Sequence, residues 1–448
     1  MSTAAHRISQ TSAAIREQRR RDGRTHRNHL NRTRLGDLHL KKRSDPIETL
    51  LSARKSRVPA LLALKYARMS ATPFTFFRGA VPIMAADLAR EPHTGLLVQL
   101  CGDAHLQNLG CFEAPDGRLI FDINDFDETI RGPWEWDVKR MAASIVLAGM
   151  DAGQRRSTCA AAVDAFAATY CASLCRLAEQ PILVAARHQI HRMRQAQAVS
   201  AAFDHAQRAN PCDLLKKYTE NTSRGPVRFR KIDHVIWRLH GQRRQEILAS
   251  LLLYRQSLPP ERLHLFDFFR PLDVAFKVVG TGSVGLRDYV VLMEGSGAED
   301  PLFLQLKQEV RSAYTPYIKS DLYPNEGQRV VVGQHKIQPL SDLLLGWTRI
   351  GEHDYLVRQL NDHKGTVDLR QLRGEGLRSL ATIAGELLAR GHARSGDALM
   401  IKGYVGAPDK VVKSIVHYGL EYASLTEADF EIFKKAISYG RIKTAVPS

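Results

Sequence analysis

The chain has 448 residues, 44% apolar and 25% charged, which supplies enough apolar sequence for two or three cores and excludes wholesale disorder. Its 64 Lys and Arg against 47 Asp and Glu give a net charge of +17, and no apolar run reads as the ~20-residue stretch a membrane span requires. The basic, polar N-terminus lacks the apolar stretch of a secretory signal. The six Cys show no zinc-type pairing; Cys171 and Cys175, four apart in an Ala-rich segment, read as buried thiols on one helix face, and a reduced cytoplasmic setting is expected.

Residues 1–45 hold 12 Lys/Arg against 4 Asp/Glu and show no apolar periodicity, so a basic flexible arm or an extended strap is expected there. Contact with a polyanion, nucleic acid or anionic lipid, is one reading of it. A solvated tail is the other, favoured because no aromatic side chain is interleaved for base stacking. Leu50, Leu51, Leu61, Leu62 and Leu64 follow at helical spacing, and Thr72-Pro73 leads into the aromatic-rich Phe74-Thr75-Phe76-Phe77-Arg78-Gly79. Leu96–Leu100 is of strand length and stands directly before Gly102-Asp103. A second strand, Leu119-Ile120-Phe121, follows the Pro115-Asp116-Gly117 turn.

Helix is expected from Trp134 to about residue 206, with Trp134 and Trp136 as core anchors, then helix and polar loop to 260. Near 271 the texture changes. The runs 273–279, 289–293 and 302–307 predict an antiparallel meander carrying Gly280-x-Gly282-x-x-Gly285. A helix over 325–338, a strand over 355–360, a helix over 375–394 and further helices to the end complete the chain.

The chemistry lies in Cys101-Gly102-Asp103-Ala104-His105-Leu106-Gln107-Asn108 and in Phe121-Asp122-Ile123-Asn124-Asp125-Phe126-Asp127. An Asp stands five residues before an Asn, and a second Asp seventeen residues after it ends an apolar run. Kinase-type phosphoryl transfer needs such a set: a carboxylate to orient the acceptor hydroxyl, and an Asn and an Asp to hold magnesium on ATP. Asp103, Asn108 and Asp125 take those roles, and His105 is read as holding the loop by hydrogen bonds. Gly280, Gly282 and Gly285 would cover the phosphates, with Lys307 beneath them on a strand. Glu326, on the next helix, is a candidate acid partner for Lys307. The glycine loop and Lys307 follow Asp103 rather than precede it, so the order is permuted. A dinucleotide fold would place a helix directly after the glycines, and here a strand follows.

Gly-Asp-x-His-x-x-Asn, then a strand ending in Asp, then twelve residues to Asp137, resembles the aminoglycoside and choline phosphotransferase branch of the protein-kinase-like superfamily. The resemblance implies that Asp103 is the catalytic Asp, Asn108 and Asp125 the magnesium ligands, and Asp137 the helix residue that braces the catalytic loop. The helix ending Leu387-Leu388-Ala389-Arg390-Gly391-His392 is similar to one that runs into that loop. Arg68-Met69, Pro73-Phe74, Phe77-Arg78-Gly79, Cys101–His105, Phe121–Glu128, Pro133–Asp137, Val279–Gly285, Leu304–Lys307 and His392–Asp397 carry a second likeness. Through them the chain, over roughly residues 25–440, is similar to an uncharacterised bacterial family, domain of unknown function 2252.

The expected fold is α+β, a two-lobed, circularly permuted kinase-like body. Residues 1–45 would form the arm, 46–265 and 366–448 the helical large lobe, and 266–365 the small sheet lobe. The expected function is ATP–Mg-dependent phosphotransfer to an unknown acceptor, small molecule or protein. A nucleotide-binding pseudokinase, an AMP transferase, a metal-dependent phosphohydrolase using Asp103, His105, Asp122 and Asp125, and a basic nucleic-acid-binding protein stay open.

Overall fold

The computed structural model describes residues 2–39, 41–54, 57–188, 197–208, 211–222, 225–233, 235–278, 285–319, 322–360 and 365–445. It is α+β. Helices α1 (Ser2–Thr25), α2 (Pro46–Ser52), α3 (Pro59–Met69), α4 (Pro73–Gly79) and α5 (Val81–Leu88) come first, then β1 (Leu97–Leu100), β2 (Leu109–Glu113), β3 (Leu119–Ile123) and β4 (Ile130–Pro133). Next are α6 (Trp134–Asp151), α7 (Arg156–Glu179), α8 (Ile182–Ala186), α9 (Gln197–Arg208), α10 (Pro211–Tyr218), β5 (Thr219–Thr222), β6 (Gly225–Phe229), β7 (Ile236–Arg238), α11 (Gly241–Ser257) and α12 (Pro260–Asp267). The chain continues with β8 (Arg270–Lys277), β9 (Asp288–Glu294), β10 (Pro301–Glu309), α13 (Glu326–Ile337), β11 (Gly346–Ile350), β12 (His353–Gln359) and β13 (Gly365–Thr366). It closes with α14 (Glu375–Ser395), α15 (Ala398–Val405) and α16 (Asp409–Ser438).

The expected meander is part of a larger antiparallel sheet in the order β11-β12-β10-β9-β8-β7. Alternation along β10 sends Leu304 and Leu306 into a core with Val291, Val357 and the α11 residues Ile247, Leu251 and Tyr254. The opposite face carries Gln305 and Lys307. Residues 46–265 were expected to lie with the helical part, yet α11 and β7 belong to the sheet body. Leu214, Leu215, Tyr218 and Phe229 of α10 and the β5–β6 hairpin pack there too. The boundary expected at 265 therefore falls inside a packed unit. The strand Thr219-Glu220-Asn221-Thr222 has no apolar alternation to announce it, and β7 spans only three residues.

The larger core belongs to the helices. Every residue of α6 from Trp134 to Gly149 is buried, and α7 and α14 pack beside it. By length and composition α7 could cross a membrane, with a mean hydropathy of 1.3 over its most apolar 18 residues, against the expectation of no such run. Its Ala and Cys residues make it apolar without long runs of large side chains. Phe166, Tyr170 and Leu174 fill the core. No disulfide joins any of the cysteines among the described residues; Cys171 is buried and Cys175 half-buried.

The N-terminal segment is not a free arm. Helix α1 lies along α15, with Arg16 and Arg20 on Glu179 at 2.9 and 2.6 Å. Arg27 and Arg32 donate to the carbonyls of Gly403, Tyr404 and Val405, satisfying the C-terminal end of α15. Farther on, Arg43 bridges Asp87 (2.8 Å) and Asp429 (2.6 Å), both nearly buried. Composition concealed this because arginines that cap and bridge look like arginines on a tail. Arg43→Ala strands two buried carboxylates and is expected to cost about 3–5 kcal/mol. A melting temperature within a degree of the wild type would contradict that role.

Candidate active site

Strand β1 delivers the loop that holds Asp103. Gly102 sits at φ +82°, and a Cβ there would stand 2.1 Å from the Glu128 carbonyl oxygen, so only glycine lets the two segments touch. Buried Asp137, at the start of α6, accepts the amides of Cys101 (2.8 Å) and Gly102 (3.1 Å). His392 of α14 stands 3.4 Å from the same carboxylate, and its other ring nitrogen meets the Tyr170 hydroxyl at 2.8 Å. The loop is thus held from beneath by two core helices.

Asp103 receives Arg140 of α6 through Nε (2.8 Å) and Nη2 (2.5 Å), both on Oδ1, while His105 Nε2 lies 3.5 Å from Oδ2. Burial opposes the charge on Asp103, but Arg140 and His105 outweigh it and hold the carboxyl below the usual range. Asn108 donates to the Asp103 carbonyl (2.8 Å), and its own carbonyl accepts the Asn124 amide (2.8 Å). These two bonds keep the Asp103 loop beside the acidic segment.

Lys307 reaches that segment from the sheet. It is 3% exposed, and its Nζ lies 3.2 Å from Asp125 and 2.6 Å from Asp127. Alternation allowed a solvent-facing lysine here; the structure turns that face of β10 into the cleft. Burial and the neighbouring Asp127 charge push the Asp125 carboxyl up, whereas at Asp127 the Lys307 ammonium outweighs burial and the carboxyl is held down. Two residues on, Glu309 is buried with one carboxylate oxygen lacking a hydrogen-bond partner among the described residues, and burial raises its carboxyl strongly. Glu326 does not reach Lys307: it pairs with Arg329 (2.6 Å). Arg329 in turn donates to the carbonyls of Asp127, Thr129 and Val310, tying α13 to both sides of the cleft.

The structure therefore brings together Asp103, Asn108, Asp125 and Lys307. Gly285 is at φ +99°, its carbonyl accepts the Val58 amide at 2.6 Å, and the Arg57 side chain lies against it. Gly280 and Gly282 lie outside the described residues. Asp122 is not part of the cluster, being buried against Arg390 at 2.5 Å. Trp134 and Trp136 are core residues, as expected. Among the described residues no three His, Cys, Asp or Glu side chains assemble as a metal-ligand group. A cavity of about 300 Å³ adjoins the cleft, lined by Phe112 and Asn124 on one side and Gln334, Gln338 and Arg358 on others. Sequence reasoning missed Arg140 and Arg329, which no local pattern marks. It left Asp127 as a neighbour of Asp125 without a role, and set Glu309 aside as too near Lys307 on the strand to be its partner.

Fold and site define an α+β protein with an acidic–basic cleft between a helical body and an antiparallel sheet. The chain belongs to the bacterial family described as an uncharacterized protein conserved in bacteria, domain of unknown function 2252, whose model matches residues 57–436. No curated protein and no solved structure matches the chain.

Proposed function

We propose that the protein is an ATP–Mg-dependent phosphotransferase of kinase-like type with its two halves in exchanged order. The observation that carries this reading is the contact of Lys307, from a central strand of the sheet, with Asp125 and Asp127, just after the Asp103–Asn108 loop. The brace from Asp137 to the loop amides supports it, because the kinase-type resemblance expects an Asp in that position.

The donor set suits a nucleotide-bound divalent cation. Asp125 and Asp127 crowd one another, and buried Glu309 adds a third carboxylate to the same neighbourhood. Magnesium needs only one or two protein carboxylates when phosphates and water complete its shell. Asp125 and Asn108 would hold the metal, and Lys307 with the Gly280–Gly285 loop would hold the phosphates. Bound ATP–Mg would supply the transferable phosphoryl group and neutralise its charge. Asp103, kept ionised by Arg140, orients the acceptor hydroxyl through its other oxygen.

A phosphohydrolase cluster is less well supported, since Asp122 is committed to Arg390 and His105 faces Asp103. A nucleic-acid reading loses much of its cationic surface to the docked arginines of the first 45 residues. Thermal shift with magnesium plus ATP, against magnesium alone and against DNA, tests these. Nucleotide at a hundred times its dissociation constant should add about 2.7 kcal/mol. Stabilisation by DNA and not by ATP would overturn the proposal. Asp103→Asn should keep nucleotide and lose turnover by ~10²–10⁴-fold; full ATP consumption by that variant would remove Asp103 from the chemistry.

A further inference from the structure

Beside the Lys307 contact lies the cavity of about 300 Å³, which the phosphate and metal contacts leave unused. Its wall comes from both sides of the cleft. Phe112 of β2 and Asn124, just after β3, stand on one side; Gln334 and Gln338 at the end of α13, Asp342 beyond them and Arg358 of β12 stand on the other. The volume is at the lower end of the roughly 300–1,000 Å³ that small-molecule sites occupy, and Phe112 offers a planar ring something to stack on. Gln338 accepts from Gln334 and donates to the Ile123 carbonyl, so these two amides fasten α13 to β3.

Strand β10 fixes where this cavity lies in the cleft. Gln305 and Lys307 share one face of the strand, about 7 Å apart at roughly 3.4 Å per residue. Gln305 stands opposite Arg358 in the ladder and accepts its Nε at 3.0 Å, while Lys307 meets Asp125 and Asp127. Past the end of β10, the Ser312 hydroxyl and the Ala313 amide donate to the carbonyl and the carboxylate of Glu128 at 2.9 and 2.6 Å. Glu128 is the residue against which Gly102 packs. The cleft face therefore runs from the cavity, past Lys307, to the Asp103 loop. A nucleotide with its phosphates at Lys307 and its last phosphate toward Asp103 brings its base to the cavity.

Arg358 bears on which base that is. Gln305 holds its guanidinium through Nε, and among the described residues nothing accepts from Nη1 or Nη2. The guanidinium is near enough for its charge to act on Asp125, Asp127 and Lys307. Paired arginine N–H groups suit O6 and N7 of guanine, whereas a side-chain amide such as that of Asn124 suits N6 and N7 of adenine. The Asp342 carboxylate lines the same cavity, fixed by the amides of Leu344 (2.8 Å) and Gln359 (2.5 Å), and as an acceptor it suits the N1–H and N2 amine of guanine. We propose that Arg358 makes the site accept GTP as a phosphoryl donor besides ATP. This deepens the phosphotransferase reading and rests on it.

Non-hydrolysable GTP, ITP and ATP analogues, each with saturating magnesium, are titrated calorimetrically into the full chain. The GTP and ATP analogues should both bind the wild type. The ratio of GTP-analogue to ATP-analogue affinity is expected to fall about 10-fold or more in Arg358→Met, and further in Arg358→Gln, whose amide suits adenine. The ITP analogue keeps O6 and N7 and lacks only the N2 amine, so it should lose affinity in Arg358→Met as the GTP analogue does. A wild type that binds the ATP analogue and not the GTP analogue would overturn this inference and leave the phosphotransferase reading intact. An unchanged ratio in both folded variants would overturn the role of Arg358. If no analogue binds the wild type, both readings fall.

Discussion

Asp137→Ala should be among the most damaging single substitutions in the chain, costing about 3–5 kcal/mol, because it leaves two buried amides without an acceptor. The Asp137 carboxylate is 1% exposed and takes the N–H groups of Cys101 and Gly102. His392 and Tyr170 lose their orienting partner at the same time. Asp137→Asn keeps an acceptor oxygen but loses the charge and the second acceptance, so its effect should be intermediate. Denaturant unfolding followed by circular dichroism reads the order wild type, Asn, Ala. Equal stability of all three would mean that the loop is held by packing alone.

Lys307→Met should also be severe, and its effect should depend on pH. The substitution leaves Asp125 and Asp127 facing each other without the ammonium that lies 3.2 and 2.6 Å away. Asp125 is 36% exposed, so solvent screens part of the repulsion, and a loss of about 2–3 kcal/mol at pH 7.5 is expected. The sign follows from the direction of the shift. The Asp125 carboxyl is already raised in the folded protein, and removing Lys307 raises it further. A folded state that holds a proton more tightly than the unfolded chain is most stable below the unfolded pKa and weakens as pH rises through the folded one. The deficit of Lys307→Met against wild type should therefore shrink toward pH 5 and grow toward pH 8. A deficit that does not change with pH would show that the lysine acts through packing and not through charge.

Asp103, Asn108, Asp125 and Lys307 could be found from the sequence because each sits at a strand end or on a strand at a fixed spacing from its neighbours. The antiparallel meander, α13, α14 and the terminal helices were visible for the same reason: their apolar periods are strong. What escaped was long-range. Arg140 is 37 residues from Asp103, and Arg390 is 268 residues from Asp122. No local pattern marks such a pair, because the need for an arginine arises only where folding has buried a carboxylate. The spacing to Asp137 favoured Asp125 over Asp122, but nothing local showed that Asp122 is held by Arg390. Helix α1 escaped for a different cause: it is polar nearly all round, and its Arg20 bond to Glu179, with the bond of Arg27 just beyond it to α15, takes the place of an apolar stripe. Glu326 was only a candidate partner for Lys307; Arg329, one turn on, captures it instead.

The division of labour between Asp125 and Asp103 is the centre of the proposal, and calorimetric titration of ATP with magnesium into the two Asn variants tests it directly. Asp125→Asn should lose magnesium-dependent ATP binding, since it removes the carboxylate facing Lys307. Asp103→Asn, whose carboxylate is held apart by Arg140, should bind ATP with magnesium as the wild type does. Equal loss of binding in both variants would contradict that separation and make the two Asp residues members of a single metal cluster.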